Sequence, residues 1–124
     1  MTLTFKKIED IVTEAKQAAA NEARAYVDQW TKTTGGNQYG EPMYCGFAWT
    51  NIYSYNGKNI DGRTKVGKLL KQAGVRQDYT GAFQIYNPSG WVGQSMDVKE
   101  AGARAAAEVF KKHGFDAYMG SRAD

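Results

Sequence analysis

The sequence predicts an α+β fold, a long N-terminal helix followed by a small, partly antiparallel sheet with a C-terminal helix packed on it. Helical and strand-like patterns alternate in the order α-β-α-β-α-β, and the stretches between them leave few residues for the crossovers a parallel sheet requires. The 124 residues, 42% of them apolar, suit one domain with a modest core. Within it, residues 1–30 read as the long helix, 31–43 as a linker and 44–124 as the α+β core.

From Leu3 to about Trp30, Ile8, Ile11, Val12, Ala15, Ala19, Ala23, Tyr26 and Trp30 recur near one helical face. Such a helix reaches roughly 40 Å at about 1.5 Å per residue, whereas a domain of this size is about 30 Å across. One end should therefore overhang, which predicts a second copy covering its aromatic residues. Arg24 falls opposite the apolar stripe, facing solvent or an interface.

Thr31 to Pro42, TKTTGGNQYGEP, has linker composition. Tyr44 to Tyr55 has the aromatic and β-branched enrichment of a central strand, and Asn56-Gly57 supplies a turn pair tolerant of positive φ. Thr64 to about Ala73 reads as a short helix closed by Gly74, with Val66, Leu69, Leu70 and Ala73 inward. Its other side is basic: Arg63, Lys65, Lys68, Lys71 and Arg76 occur with no acid between them, the pattern of a solvated face or of a phosphate contact. Tyr79 to Tyr86 alternates like a strand and stops at Asn87-Pro88-Ser89-Gly90. A glycine-punctuated loop then enters a helix from Asp97 to about His113, with Asp97 and Glu100 in capping-box spacing. Phe115 to Gly120 makes a last short strand.

Composition narrows the function. No apolar run approaches the roughly 18 residues of a membrane span, and the N-terminus lacks a signal peptide's apolar segment, so a cytosolic protein is expected. The single cysteine, Cys45, reads as a buried strand thiol beside Phe47 and Trp49. One cysteine and one histidine cannot supply the usual zinc cluster, and His113 sits where an imidazolium favours a helix C-terminus. Neither metal nor cofactor is expected. Cys45 and His113 have no motif that pairs them for nucleophilic catalysis. A net charge of +3 is too mild to announce a nucleic-acid polymer but suits a small anion.

The chemistry-bearing constellation is Asn87 in its turn, Gln94 and Ser95 in the loop, the off-stripe Arg24 and Arg104, and the aromatic residues Tyr79 and Phe83. Free N–H groups at the following helix would point toward a phosphate in that loop. Arginine pairs phosphate or stacks on a base, aromatic rings offer a face to adenine, and asparagine both donates and accepts. Each residue also has an ordinary reading: Tyr79 and Phe83 as core, Asn87 as a turn former and Arg104 in solvent.

GFAW at Gly46 to Trp49, DYTG at Asp78 to Gly81, YNPSG at Tyr86 to Gly90, GQSMDVKEAGA at Gly93 to Ala103 and the terminal GSRAD carry a resemblance to the first class of phage anti-Thoeris sponge proteins. It covers residues 44–124; the N-terminal helix agrees only in character. The resemblance implies a phage counter-defence protein acting in the host cytosol. It would bind glycocyclic ADP-ribose, the signal made by TIR enzymes, and hold it uncleaved. It implies a pocket at a dimer interface, with Arg24 and Arg104 as phosphate- or base-facing cations, Asn87 as the amide, Tyr79 or Phe83 as the stacking ring and Arg122 as a further candidate. Gln94 and Ser95 join on loop geometry. Some relatives form hexamers and capture cyclic oligonucleotides, so homodimer and hexamer are both open here. The alternatives are a nucleotide-signal hydrolase using Asp97, Glu100 or His113, and a small basic DNA-binding or host-interaction protein using Arg63 to Arg76.

Overall fold

The first 34 residues hold neither glycine nor proline, and in the computed structural model, which describes residues 2–124, residues 5–34 form one helix, α1 (Phe5–Thr34). Thr4 caps its start by accepting the Lys7 N–H at 3.2 Å. Gly35, at φ 82°, ends it by donating to the Thr31 carbonyl at 2.8 Å. The helix runs past Trp30 because the hydroxyls of Thr31, Thr33 and Thr34 bond back to carbonyls of the preceding turn. Its buried row continues from Ala23 to Val27, one helical turn on. Tyr26 is exposed and Trp30 only half-buried, so they do not complete the stripe as expected.

The sheet is built on β1 (Gly46–Tyr55). One edge pairs along its length with β5 (Phe115–Ala123), and the other takes β4 (Phe83–Tyr86) and then β2 (Lys58–Asn59). β3 (Arg76–Gln77) extends the sheet beyond β4. Every pair is antiparallel. Asn56 at φ 50° and Gly57 at φ 79° make the two-residue β1–β2 turn the sequence predicts.

Between β1 and β4 lies α2 (Lys65–Gln72), capped by Thr64, whose hydroxyl accepts from Gly67 N–H at 3.1 Å. Leu70 is buried, and Val66, Leu69 and Ala73 pack around it on the core. Tyr79 to Tyr86 is not one strand. Asp78 Oδ1 accepts from Thr80 N–H, Thr80 Oγ1 and Ala82 N–H at 2.8, 2.6 and 3.0 Å, which curls residues 78–82 into the turn joining β3 to β4.

The last helix, α3 (Met96–Lys112), packs against α1 and against β1 and β5. Its alanine content permits close approach: a side chain on Gly102 would come 2.7 Å from Ser89 Cβ and 3.2 Å from the Ala19 carbonyl. Ala48, Thr50, Ile52, Phe83, Ile85, Phe115 and Ala117 form the buried sheet face against α1 and α3. Thr50 donates its hydroxyl to the Ala103 carbonyl at 2.8 Å, fixing strand to helix.

Alternation along β1 turns Phe47, Trp49, Asn51 and Tyr53 to the opposite face, where no helix packs. Cys45 shares that parity and is exposed rather than buried, since the face expected to be core is the uncovered one. Tyr86, 54% exposed, and Tyr118, 51% exposed, join it. Their rings lie 6.3 Å from Phe47 and 6.0 Å from Tyr53 respectively, giving the sheet an open aromatic surface.

Candidate functional site

At the end of β4 the chain turns sharply. Asn87 adopts φ 44°, donates its backbone N–H to Ala48 O at 2.9 Å, and uses its side-chain amide to hold the turn. Its Nδ2 donates to the Trp91 carbonyl at 3.0 Å and its Oδ1 accepts from Ser89 Oγ at 3.4 Å. Ser89 Oγ in turn accepts the Trp91 N–H at 3.1 Å. These bonds orient Trp91, and the Arg24 guanidinium of α1 lies 5.1 Å from that ring's centroid. Arg24 and Asn87 are thus brought to one place through Trp91. Sequence reasoning passed over this tryptophan, although an indole between Gly90 and Gly93 in an anion-binding loop was a usable signal.

The same loop already holds an anion. Glu41, from the linker, accepts the Trp91 indole N–H at 2.6 Å and the Gln94 N–H at 2.8 Å, so the expected phosphate seat is filled by a carboxylate of the chain itself. A side chain on Gly93 would press on the Glu41 carboxylate and the Trp91 indole nitrogen, so that this contact would have to shift. Ser95 is fully buried and is the N-cap of α3, accepting from Val98 N–H at 3.5 Å. The expected Asp97–Glu100 capping box is not formed. The helix begins at Met96, within a residue of Asp97 as expected, but Ser95 is its cap and Glu100 accepts from Ser121 Oγ of β5 at 2.6 Å. Asp97 remains in the first turn, where it suits the positive end of the dipole.

The other candidates point elsewhere. Phe83, at 1% exposure, is a core residue, which leaves Tyr79, fully exposed at the tip of the β3–β4 turn, as the ring open to a ligand. Tyr79 and Asn87 stand at opposite ends of β4. Arg104, off the buried face of α3, lines a cleft of about 280 Å³ with Glu108, Lys111, Tyr118 and Met119 along β5. Burial raises the Tyr26 hydroxyl pKa, with Asp97 and then Glu100 adding to the shift and Arg104 opposing it. Arg122 lies 5.7 Å from the Phe47 ring on the open sheet face. Within one chain Arg24 and Asn87 each contact Trp91, while Arg104 lines the cleft along β5, Arg122 lies on the open sheet face and Tyr79 stands at the tip of the β3–β4 turn.

The catalytic alternatives are also separated. Cys45 bridges to Ser95 at the start of α3, and His113 caps its end, 17 residues of helix away, or about 25 Å at the rise of an α-helix. His113 Nε2 lies 2.8 Å from Glu14 Oε1, and Lys112 reaches the other oxygen of that carboxylate, so this cluster ties α1 to α3. Among the described residues no group of three or more His, Cys, Asp or Glu is placed to hold a metal ion, and no helix is long and apolar enough to cross a membrane.

Fold and surface together define an α+β protein with two helices on one sheet face, an open aromatic second face and several polar clefts along its edges. Comparison with protein families, with curated proteins and with solved structures finds no match to the chain.

Proposed function

We propose that this chain binds and sequesters a cyclic ADP-ribose isomer of the glycocyclic kind without cleaving it, blocking Thoeris signalling in the infected host cytosol. The observation that carries this reading is the Arg24–Trp91–Asn87 assembly, in which a cation lies over an indole face and an amide holds the backbone of that tryptophan, beside the motifs quoted for the family resemblance. A guanidinium and a ring of this kind suit a ligand with both phosphate and base. Sequestration needs tight, slow-releasing contacts rather than complementarity to a transition state.

Arg104 lines a cleft along β5 and Arg122 lies in β5 itself, neither of them in contact with Trp91, and in this reading a complete pocket draws on two copies. The exposed C-terminal turn of α1, where Thr31 to Thr34 stand clear of the body, is available to such a partner. A homodimer or hexamer is the working assembly, with cyclic oligonucleotides as a second ligand class to be tested.

The test is equilibrium binding of glycocyclic ADP-ribose to wild type and to Arg104→Ala. A charge-assisted phosphate bond contributes roughly 1.5–3 kcal/mol, so affinity should fall about tenfold or more while the thermal transition stays in place. Unchanged affinity would remove Arg104 from the site.

A further inference from the structure

A cleft of about 560 Å³ lies between α1 and the free edge of β4, within the range of about 300–1,000 Å³ typical of small-molecule sites. It exists because β3 is only two residues long. Gly74, at φ 90°, turns the chain out of α2, β3 pairs with Phe83 and Gln84 alone, and the Asp78 turn then ends it. Ile85 and Tyr86 are left without a neighbouring strand on that side, and the Asn87-Pro88-Ser89-Gly90 turn closes the end of the groove.

The lining is polar and positive. Lys16 and Arg76 line it from α1 and β3, beside Gln17, Gln84 and Tyr86, and no Asp or Glu lines it. Among the described residues neither cation has a carboxylate within ion-pair distance. The nearest acid along the sheet edge is Asp78, whose carboxylate is engaged by its own turn and by Gln84 Nε2 at 3.3 Å. The Thr80 hydroxyl above all, together with backbone N–H groups, holds it below the usual carboxylate range. One turn earlier on α1 the surface changes sign, with Asp10 and Glu14 lining the adjoining cleft.

We infer that this α1–β4 cleft is a binding site for a phosphorylated small molecule, with Lys16 and Arg76 taking the phosphate. Two long cations lining one groove without an acidic partner match an anion, and guanidinium favours phosphate through paired N–H donors. The site shares only Asn87 with the assembly of the preceding section and stands whether or not that reading holds.

The experiment is titration of the full chain with ADP, inorganic pyrophosphate and uncharged adenosine at low salt, followed by backbone amide chemical shifts, for wild type and for Lys16→Gln, Arg76→Gln and the double variant. Both side chains are exposed, so the variants should keep the wild-type thermal transition, which is measured alongside. The expected result is that ADP and pyrophosphate shift the amides of Gly74, Ser89 and Gly90 and that the double variant binds ADP about tenfold or more weakly. Binding of ADP undiminished in the double variant, equal affinity for adenosine and ADP, or no shift at these amides at millimolar ligand would each overturn the assignment.

Discussion

The Trp91 indole N–H donates to Glu41 Oε1 at 2.6 Å, joining two loops 50 residues apart in sequence. The second oxygen of the same carboxylate holds Gln94 N–H, so one linker side chain positions the loop that leads into α3 and the ring beneath Arg24.

Replacing Glu41 with Ala should therefore release both the linker and Trp91. Hydrogen bonds to a charged acceptor contribute about 1.5–3 kcal/mol, and partial exposure here places the loss at the low end of that range. Denaturant unfolding measures the stability change, and the tryptophan emission of the native state should report a more solvated indole. An unchanged spectrum together with unchanged stability would contradict the role given to Glu41.

Gly102 sits where α3 passes both α1 and the Ser89 turn. Gly102→Ala would press a methyl to 2.7 Å from Ser89 Cβ. The gain in helix propensity, about 1 kcal/mol, is set against overpacking of about 1–3 kcal/mol. Net destabilisation is expected, with displaced amide resonances at Ser89 and Trp91; a stabilised variant would show that the contact relaxes freely.

Thr50 is fully buried and donates to Ala103 O at 2.8 Å. Thr50→Val keeps the shape and removes the hydroxyl. Ala103 O remains within the helix ladder, so the loss should be about 1 kcal/mol, seen as a lower denaturation midpoint at constant slope.

Glu14 gives the fold an acid-sensitive tie. The Lys112 ammonium and then His113 hold its carboxyl below the ordinary value of 4.5. A carboxyl whose pKa is depressed on folding contributes stability that is present above its unfolded value and lost as pH falls through the folded one. Glu14→Gln should thus lower Tm near neutral pH, with the difference closing as pH drops below 4.5. A Tm difference of the same size at every pH would exclude the ionised tie.

Much of this architecture is legible from residues alone. The glycine-free start announces α1, Asn56-Gly57 announces the hairpin turn, and Thr64 with Gly74 brackets α2. The β3–β4 turn is missed because Tyr79 to Tyr86 alternates like a strand, while the force that bends it is one carboxylate, Asp78, bonding forward to Thr80 and Ala82. Cys45 is misread for a different reason. The alternation of Phe47, Trp49 and Tyr53 identifies a strand, but which of its faces is covered depends on where α1 and α3 pack. The loop before α3 is read as a phosphate seat, and the group that meets its Gln94 N–H is Glu41, which lies in a linker whose path no local pattern reveals. Lys16 likewise looks like one solvated lysine among several until the short β3 opens the groove beside it.

The central claim is capture without cleavage. Purified protein is incubated with TIR-produced glycocyclic ADP-ribose, free ligand is removed by filtration, the protein is heat-denatured, and the released molecule is identified by mass spectrometry. Depletion of the signal followed by recovery of the intact cyclic ligand is the predicted result. A cleaved product would make the chain an enzyme, and ligand left free throughout would contradict the sequestration reading.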